Sequence, residues 1–290
     1  MENAAQKVKC PACGCADAYH FTVKNGYRLH RSQKCGLVFV WPTPSNTTSV
    51  YDEDYFHGAT HGFGYADYDR DKEPQRKTMG KYLDVIAAYC SGVRLLDVGA
   101  AQGNFLQLAA KRGWKIQGVE ISEYAVAVAR QRGMPVIGGT VHHSDLQPGS
   151  FDVVTLWDVL EHLPDPIRDI LMIHALLKPG GIIAINTPDS GSWWARFWGS
   201  HWHMIVPPEH LNLFSVSALS IILENSGFKI EKVAKIGKSF SVPYILSVLH
   251  GWTGKRFLAT MSAWSSRMWL RRVAFPINLR DNMFFIARKQ

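Results

Sequence analysis

Two periodicities alternate along this chain. Between residues 94 and 186, apolar runs of strand length are separated by segments whose apolar residues recur at helical spacing. Arg94–Val98, Lys115–Glu120, Pro135–Gly138, Phe151–Trp157 and Ile182–Asn186 read as strands. The segments 103–112, 122–132 and about 164–177 read as helices, and 74–91 carries Met79, Tyr82, Leu83, Ile86 and Ala87 on one helical face. Strand–helix alternation of this kind predicts a parallel sheet with helices on both faces. The ending differs. Ser215 caps a helix that stops at Gly227, and Phe228–Ile236 and Asn282–Lys289 read as strands with no strand–helix unit between them. An antiparallel last strand is the economical reading.

The junction of the first strand and helix, Leu95-Leu96-Asp97-Val98-Gly99-Ala100-Ala101-Gln102-Gly103, is a small-residue turn. Such a turn lets backbone approach a ligand, and the free N–H groups of the following helix favour an anion. The next strand ends in Glu120, where an acid accepts hydrogen bonds from ribose hydroxyls in nucleotide-binding sheets. A nicotinamide dehydrogenase is the alternative for such a turn, but its glycines follow Gly-x-Gly-x-x-Gly, and this spacing differs.

Composition sharpens the picture. The chain has 290 residues, 47% hydrophobic, enough for one large core with an appendage. A net charge of +8 suggests a polyanionic or membrane-surface partner or simply a soluble basic protein. The N-terminal residues lack the basic-then-apolar profile of a secretory signal, and no apolar run has the length of a membrane span. The expectation is a cytoplasmic protein, with the inner face of the membrane as a candidate contact. Four of five cysteines crowd near the N-terminus, which favours metal ligation in a reducing compartment over a disulfide framework. The organisation read from these features is a cysteine unit at 1–45, a lid or linker at 46–73 rich in Tyr, Asp and Gly, and a main domain at 74–290 with insertions at 189–212 and 237–280.

LLDVGAAQG at 95–103, GVEIS at 118–122, FDVVTLWDVLEHLPDP at 151–166 and LLKPGGIIAINTP at 176–188 together resemble the class I S-adenosylmethionine-dependent methyltransferases. CPACG at 10–14, KCGLVF at 34–39 and PPEHLNLFS at 207–215 resemble a bacterial group of these enzymes with an N-terminal zinc-ribbon-like segment. The resemblance implies an α/β, Rossmann-like sheet of seven strands with the last antiparallel, and S-adenosylmethionine as cofactor. Gly99, Ala100, Ala101 and Gly103 would pass the methionine part, Glu120 would hold the ribose, and Ile121 would lie against the adenine. Asp97 would orient the turn or meet the cofactor ammonium. Trp157 and Asp158, at a strand's carboxyl end, would flank the sulfonium centre, and Thr140 and Val141 would neighbour the adenine. Aromatic residues of the lid, Tyr55, Tyr65 and Tyr68, would cover the cofactor. Position 101 departs from the family's Gly-x-Gly-x-Gly by carrying Ala.

Methyl transfer to oxygen or nitrogen needs an aligned nucleophile and often a base. Two of the 12 histidines stand out. His162 closes DVLEH, and related quinone O-methyltransferases carry a similar acid-x-x-Glu-His run that holds a divalent cation; the other reading is a structural histidine. His210 follows two prolines in PPEHLNLF, with Glu209 beside it as a candidate orienting group; the other reading is a loop anchor.

The two insertions leave the sheet at its ligand-binding edge. The first carries Trp193, Trp194, Phe197, Trp198 and Trp202. The second has no acid from Lys232 to Arg280, and it places Phe257, Met261, Trp264 and Met268 at helical spacing among Lys and Arg. That pattern fits an interfacial helix on anionic lipid or a helix packed on the sheet with a basic rim. A hydrophobic pocket for a glycosylated or lipid-linked acceptor is a further reading of the aromatics; nothing matches a nucleic-acid module.

Cys10-Pro11-Ala12-Cys13-Gly14 has the spacing of half a structural zinc site. The second half, Ser32-Gln33-Lys34-Cys35-Gly36, has Ser where a thiolate is expected. Cys10, Cys13 and Cys35 are therefore candidate ligands, with His30 or Cys15 as the fourth. The function expected is methyl transfer to a hydroxyl of a glycan, lipid-linked or secondary-metabolite acceptor. The competing reading is a binding or scaffold protein on a decayed methyltransferase fold.

Overall fold

The structure is a computed structural model that describes residues 8–45, 75–243, 245–246, 250, 255–267 and 274–290. The predicted lid at 46–73, with Tyr55, Tyr65 and Tyr68, lies outside the described residues, as does Met268.

The N-terminal segment forms three antiparallel strands, β1 (Ala18–Lys24), β2 (Tyr27–Ser32) and β3 (Val38–Val40). Helix α1 (Arg76–Tyr89) leads into β4 (Arg94–Val98), α2 (Asn104–Lys111), β5 (Lys115–Glu120), α3 (Glu123–Gln131), β6 (Val136–Gly138) and β7 (Phe151–Trp157). Then follow α4 (Pro166–Leu176), β8 (Leu177–Pro188), α5 (Trp193–Trp198), β9 (Asn212–Leu213), α6 (Val216–Asn225) and β10 (Phe228–Ala234). The chain ends with β11 (Lys238–Ser241), α7 (Arg256–Arg267), β12 (Ala274–Ile277) and β13 (Asn282–Lys289).

The main sheet has seven strands in the order β10-β13-β8-β7-β4-β5-β6. Within it β13 runs antiparallel to both β8 and β10, as the sequence predicts. The strands are apolar on both faces because both are covered. Leu95, Val153, Ile182, Ala184 and Phe284 pack with Tyr82, Leu83 and Ile86 of α1, Phe105 and Leu106 of α2 and Val126 of α3. Their neighbours Leu96, Val154, Ile183, Ile185 and Phe285 pack with Ile170 and Ile173 of α4 and Leu219 and Ile222 of α6. Ser215 caps its helix as the sequence predicts, and Ser122 and Asp165 do the same for theirs; each accepts the N–H three residues on.

Two features were not legible in advance. First, β3 pairs with β9, setting Val38 opposite Leu213 and Phe39 opposite Asn212. The CGLVF and HLNLF segments are thus one hydrogen-bonded ladder, and the cysteine unit is sewn to the first insertion. Ser215 Oγ donates to Cys35 O, and Ser190 Oγ donates to Gly36 O at 3.0 Å. Second, the 237–280 insertion begins and ends in a two-stranded ribbon, β11 with β12, and α7 lies between its arms. Among the described residues no helix is long and apolar enough to cross a membrane.

Candidate active site

A crevice opens at the carboxyl ends of β4, β7 and β8, between the first turn and α1. It is lined by Asp97, Gly99 and Ala100 from that turn, Trp157 and Asp158 after β7, Asn186 of β8 and Tyr82 of α1, among others. Gly99 has φ of +69°, and a Cβ there would stand 2.5 Å from Val159 Cγ2. Only glycine meets both constraints. Ala101, where the family pattern has glycine, also sits in the left-handed region at φ 46°. An alanine pays about 1 kcal/mol or more for that conformation. Its N–H is used: it donates to Glu120 Oε2 at 2.8 Å, while Glu120 Oε1 accepts from Ser122 N–H at 2.9 Å. Glu120 is thus buried and clamps the turn to the end of β5. Each carboxylate oxygen accepts more than one hydrogen bond, so this clamp is compatible with a shared ribose hydroxyl. Ile121 beside it is an exposed apolar side chain, the condition in which it could cover an adenine face. Gly103 is the N-cap of α2. Thr140 is exposed and Val141 is buried in the core; like Ala101, Gly103, Glu120 and Ile121, they lie outside the lining of the crevice.

Asp97 is wholly buried. Burial pushes its carboxyl up to about 7, although Thr155 Oγ1 donates to it at 2.6 Å. Trp157 stacks on Tyr82 at 4.6 Å between ring centres and meets Phe105 edge-on at 5.0 Å. Its indole N–H is buried without a hydrogen-bond partner. A polar chain crosses the crevice floor: Tyr82 O–H donates to Asn186 Oδ1 at 3.0 Å, and Asn186 Nδ2 donates to Asp158 Oδ1 at 2.7 Å. Asp158 holds φ at +55°, a strained conformation for a residue that aims its carboxylate inward. Tyr82 and Asn186 escaped sequence reasoning. Tyr82 matched the apolar face of its helix, and the only signal at Asn186 was a polar residue ending an apolar strand at the ligand edge.

One turn past Asp158, the helical turn Leu160–His162 brings Glu161 and His162 against His210, which approaches on the segment before β9. One ligand atom from each of Glu161, His162 and His210 lies within 4.8 Å of the others. The histidine rings meet edge-on at 4.8 Å. His162 Nδ1 lies 2.8 Å from Glu209 O, and His210 Nδ1 lies 2.6 Å from Met204 O. A carbonyl only accepts, so Nδ1 carries the proton in both rings and Nε2 holds the lone pair. Burial pulls both imidazoles below their ordinary pKa and keeps them neutral. Burial, helped by nearby Asp158, pushes Glu161 up to about 7 while Thr187 Oγ1 donates to it at 2.8 Å. Two neutral imidazoles and a carboxyl, each ring fixed by a backbone carbonyl, suit a divalent cation. Glu209 enters this arrangement through its backbone carbonyl on His162, and the group that orients His210 is the Met204 carbonyl.

The cysteine cluster is separate. The sulfurs of Cys10, Cys13 and Cys35 lie within 4.8 Å of one another, and Cys10 and Cys35 are 3.5 Å apart. Tetrahedral zinc at its usual bond length separates thiolates by about 3.8 Å, so the three sulfurs fit. Gly14 N–H donates to Cys10 O at 2.9 Å, and Gly36 N–H donates to Ser32 O at 3.1 Å. The two turns are built alike, and Ser32 takes in the second the place of Cys10 in the first. Its Oγ lies 3.6 Å from Cys13 Sγ and donates to Asp17 Oδ1 at 3.2 Å. His30 is not part of the cluster. It sits on β2 opposite Phe39, with His20 edge-on at 6.0 Å.

Comparison with known proteins bears on the family and the fold. Ubiquinone biosynthesis O-methyltransferase of Xanthomonas campestris is 32% identical over 158 residues, covering 50% of this chain and 65% of the relative. The protein of that name from Pseudomonas aeruginosa is 36% identical over 104 residues, covering 33% and 45%. The chain therefore spans less than two thirds of either. Among solved structures, a SAM-dependent methyltransferase from Archaeoglobus fulgidus superposes with a TM-score of 0.53 at 18% identity, covering 76% of this chain and 97% of that one. Another, from Thermotoga maritima, gives 0.51 at 20% identity, covering 77% and 95%. These likenesses show the fold. The family described as "Methyltransferase domain" matches residues 59–233, more than half of the chain, and the protein belongs to that family of class I S-adenosylmethionine-dependent methyltransferases.

Proposed function

We propose that the protein transfers a methyl group from S-adenosylmethionine to a hydroxyl of a small-molecule acceptor, with Glu161, His162 and His210 holding a divalent cation beside the crevice. The observation that carries this reading is the convergence of those three donors one turn beyond Asp158. The relatives named for O-methylation support a hydroxyl nucleophile, and the aromatic first insertion supports an apolar or lipid-linked acceptor.

In this reading the turn Gly99–Gly103, Glu120 and Ile121 bind the cofactor, whose sulfonium supplies an electrophilic methyl group. A cation at the Glu161 cluster would lower the pKa of an acceptor hydroxyl. Asn186 holds the Asp158 carboxylate at the crevice floor, where it is placed to accept the hydroxyl proton. The stacked rings of Tyr82, Trp157 and Phe105 exclude water from one wall. In the cysteine unit, we assign a structural zinc to Cys10, Cys13 and Cys35, with the Ser32–Asp17 pair on its fourth side.

Calorimetry tests the core of the reading. S-adenosylmethionine should bind at micromolar concentration or tighter, and Gly99→Arg should abolish binding by filling the turn. Absence of binding to the parent protein would favour the scaffold reading. Titration with Mn2+ followed by electron paramagnetic resonance should then show a site that His210→Ala removes. A signal unchanged by that substitution would sink the cation assignment.

A further inference from the structure

One helix in each insertion turns aromatic side chains outward, while Trp202 and Ile205 of the first insertion are buried. On α5, Ala195 points into the core while Trp193 is 60% and Phe197 73% exposed. Their neighbour Trp198 stands edge-on to Phe197 at 5.6 Å, so the rings form one projecting aromatic knob. On α7 the inward side holds the half-buried Leu258 and Ser262 and the buried Ser265. Ser262 Oγ donates inward to Pro243 O at 2.8 Å. Phe257, Met261 and Trp264, at i, i+4 and i+7, face solvent, with Phe257 57% and Trp264 56% exposed. A helix that buries serine and presents an aromatic stripe to water is oriented for contact with something apolar.

The two insertions that carry these helices leave the sheet at one edge. Asp189, where the first insertion leaves β8, forms an ion pair with Lys235, where the second leaves β10. Asp189 N–H donates to Asp281 O at 2.7 Å, and Trp202 Nε1 donates to Asp281 Oδ2 at 3.4 Å, so the returning arm is tied to the same point. This is the carboxyl edge of the sheet, where the crevice opens. Charge then selects the partner. From Lys232 to Arg280 the chain carries nine Lys and Arg residues and no Asp or Glu. Lys255 and Arg256 are exposed at the start of α7, and Arg196 is exposed on α5.

We propose that this edge is a peripheral docking surface for anionic phospholipid bilayers. The aromatic side chains of α5 and α7 enter the headgroup–acyl boundary, and the basic residues around them pair with lipid phosphates. Docking is independent of the methyl-transfer reading. Resting on that reading is its consequence: the crevice mouth faces the bilayer, so the acceptor is an amphiphile whose apolar part stays in the membrane.

The test is flotation of the full-length protein, without cofactor, on phosphatidylcholine vesicles with and without phosphatidylglycerol. The parent should float with the anionic vesicles and bind pure phosphatidylcholine at least about tenfold more weakly. The pair Phe197→Glu with Trp264→Glu should lower binding about tenfold or more, and so should Lys255→Glu with Arg256→Glu. Calorimetric affinity for S-adenosylmethionine, unchanged in both variants, would show that they are folded. The proposal is overturned if the parent does not float, or if both variants float like the parent. It is also overturned if sedimentation shows a dimer that Phe197→Glu with Trp264→Glu dissolves while vesicles are ignored, because the aromatic edge would then be a contact between two copies. Loss of vesicle binding with cofactor binding intact, or the converse, separates this proposal from the enzymatic one.

Discussion

Cys10, Cys13 and Cys35 meet through two short turns of the same build, each closed by a glycine N–H on the first residue of its motif. Glu161, His162 and His210 meet through one helical turn and a segment that arrives nearly fifty residues later. Soft sulfur donors in tight local turns suit a structural ion; two imidazoles and a carboxyl beside a crevice suit a catalytic one. The two are mechanically linked. The cysteine turn accepts hydrogen bonds from Ser190 and Ser215, and β3 pairs with β9, directly after His210. The N-terminal unit thus braces the strap that carries a member of the other cluster. An ion in the proposed cysteine site would thereby act on the proposed catalytic cluster without touching substrate.

Variants can break that contrast. The largest effect is expected from Cys35→Ser, which should remove zinc from the purified protein and cost about 4 kcal/mol or more of stability in denaturant titration. If the variant keeps both, the cysteine cluster is held by packing alone. Next is His210→Ala, which should weaken Mn2+ binding about 100-fold while leaving the zinc content unchanged; parallel loss of both metals would show one coupled site in place of two.

Asp97 belongs to neither cluster and serves as their control. Its folded-state pKa is raised to about 7 by burial. The folded protein therefore retains a proton that the unfolded chain releases above its ordinary carboxyl pKa. The stabilisation from this group is fully present at acid pH and is lost as pH rises through about 7. Relative to Asp97→Asn, the cofactor-free parent should lose about 2 kcal/mol of stability between pH 5 and pH 7. Equal slopes in the two proteins would show that Asp97 is ionised when folded. The smallest effect is a gain: Ser32→Cys should complete a four-thiolate site and slow zinc loss to a chelator about tenfold. No change would mean that the Ser32 corner does not face the ion.

Much of this was legible in one dimension. The strands and helices of the main sheet follow from apolar periodicity, and one helix start from its cap Ser215, because those signals act within a few residues. The glycine turn and the acid that ends the next strand were legible for the same reason. Tyr82 and Asn186 were not, since a helix-face aromatic and a strand-end amide acquire their roles only when α1 is laid across β8. His30, attractive by proximity in sequence, is outside the cysteine cluster because it lies two residues back along β2 from Ser32, which a strand's rise makes about 7 Å.

By itself the sequence determined which segments form the main sheet and the helices on its faces, the parallel order with its reversed last strand, and the glycine turn with its acid. Burial of apolar surface at a given period admits few other solutions. The tertiary structure decided what long-range contact alone can decide: that β3 pairs with β9, that Glu161 and His162 find His210, and that the stripe of α7 faces outward. An apolar stripe looks the same in sequence whether it meets a core or a partner. Only the sheet, the ribbon and the inward-facing Ser262 and Ser265 of α7 determine which side is in.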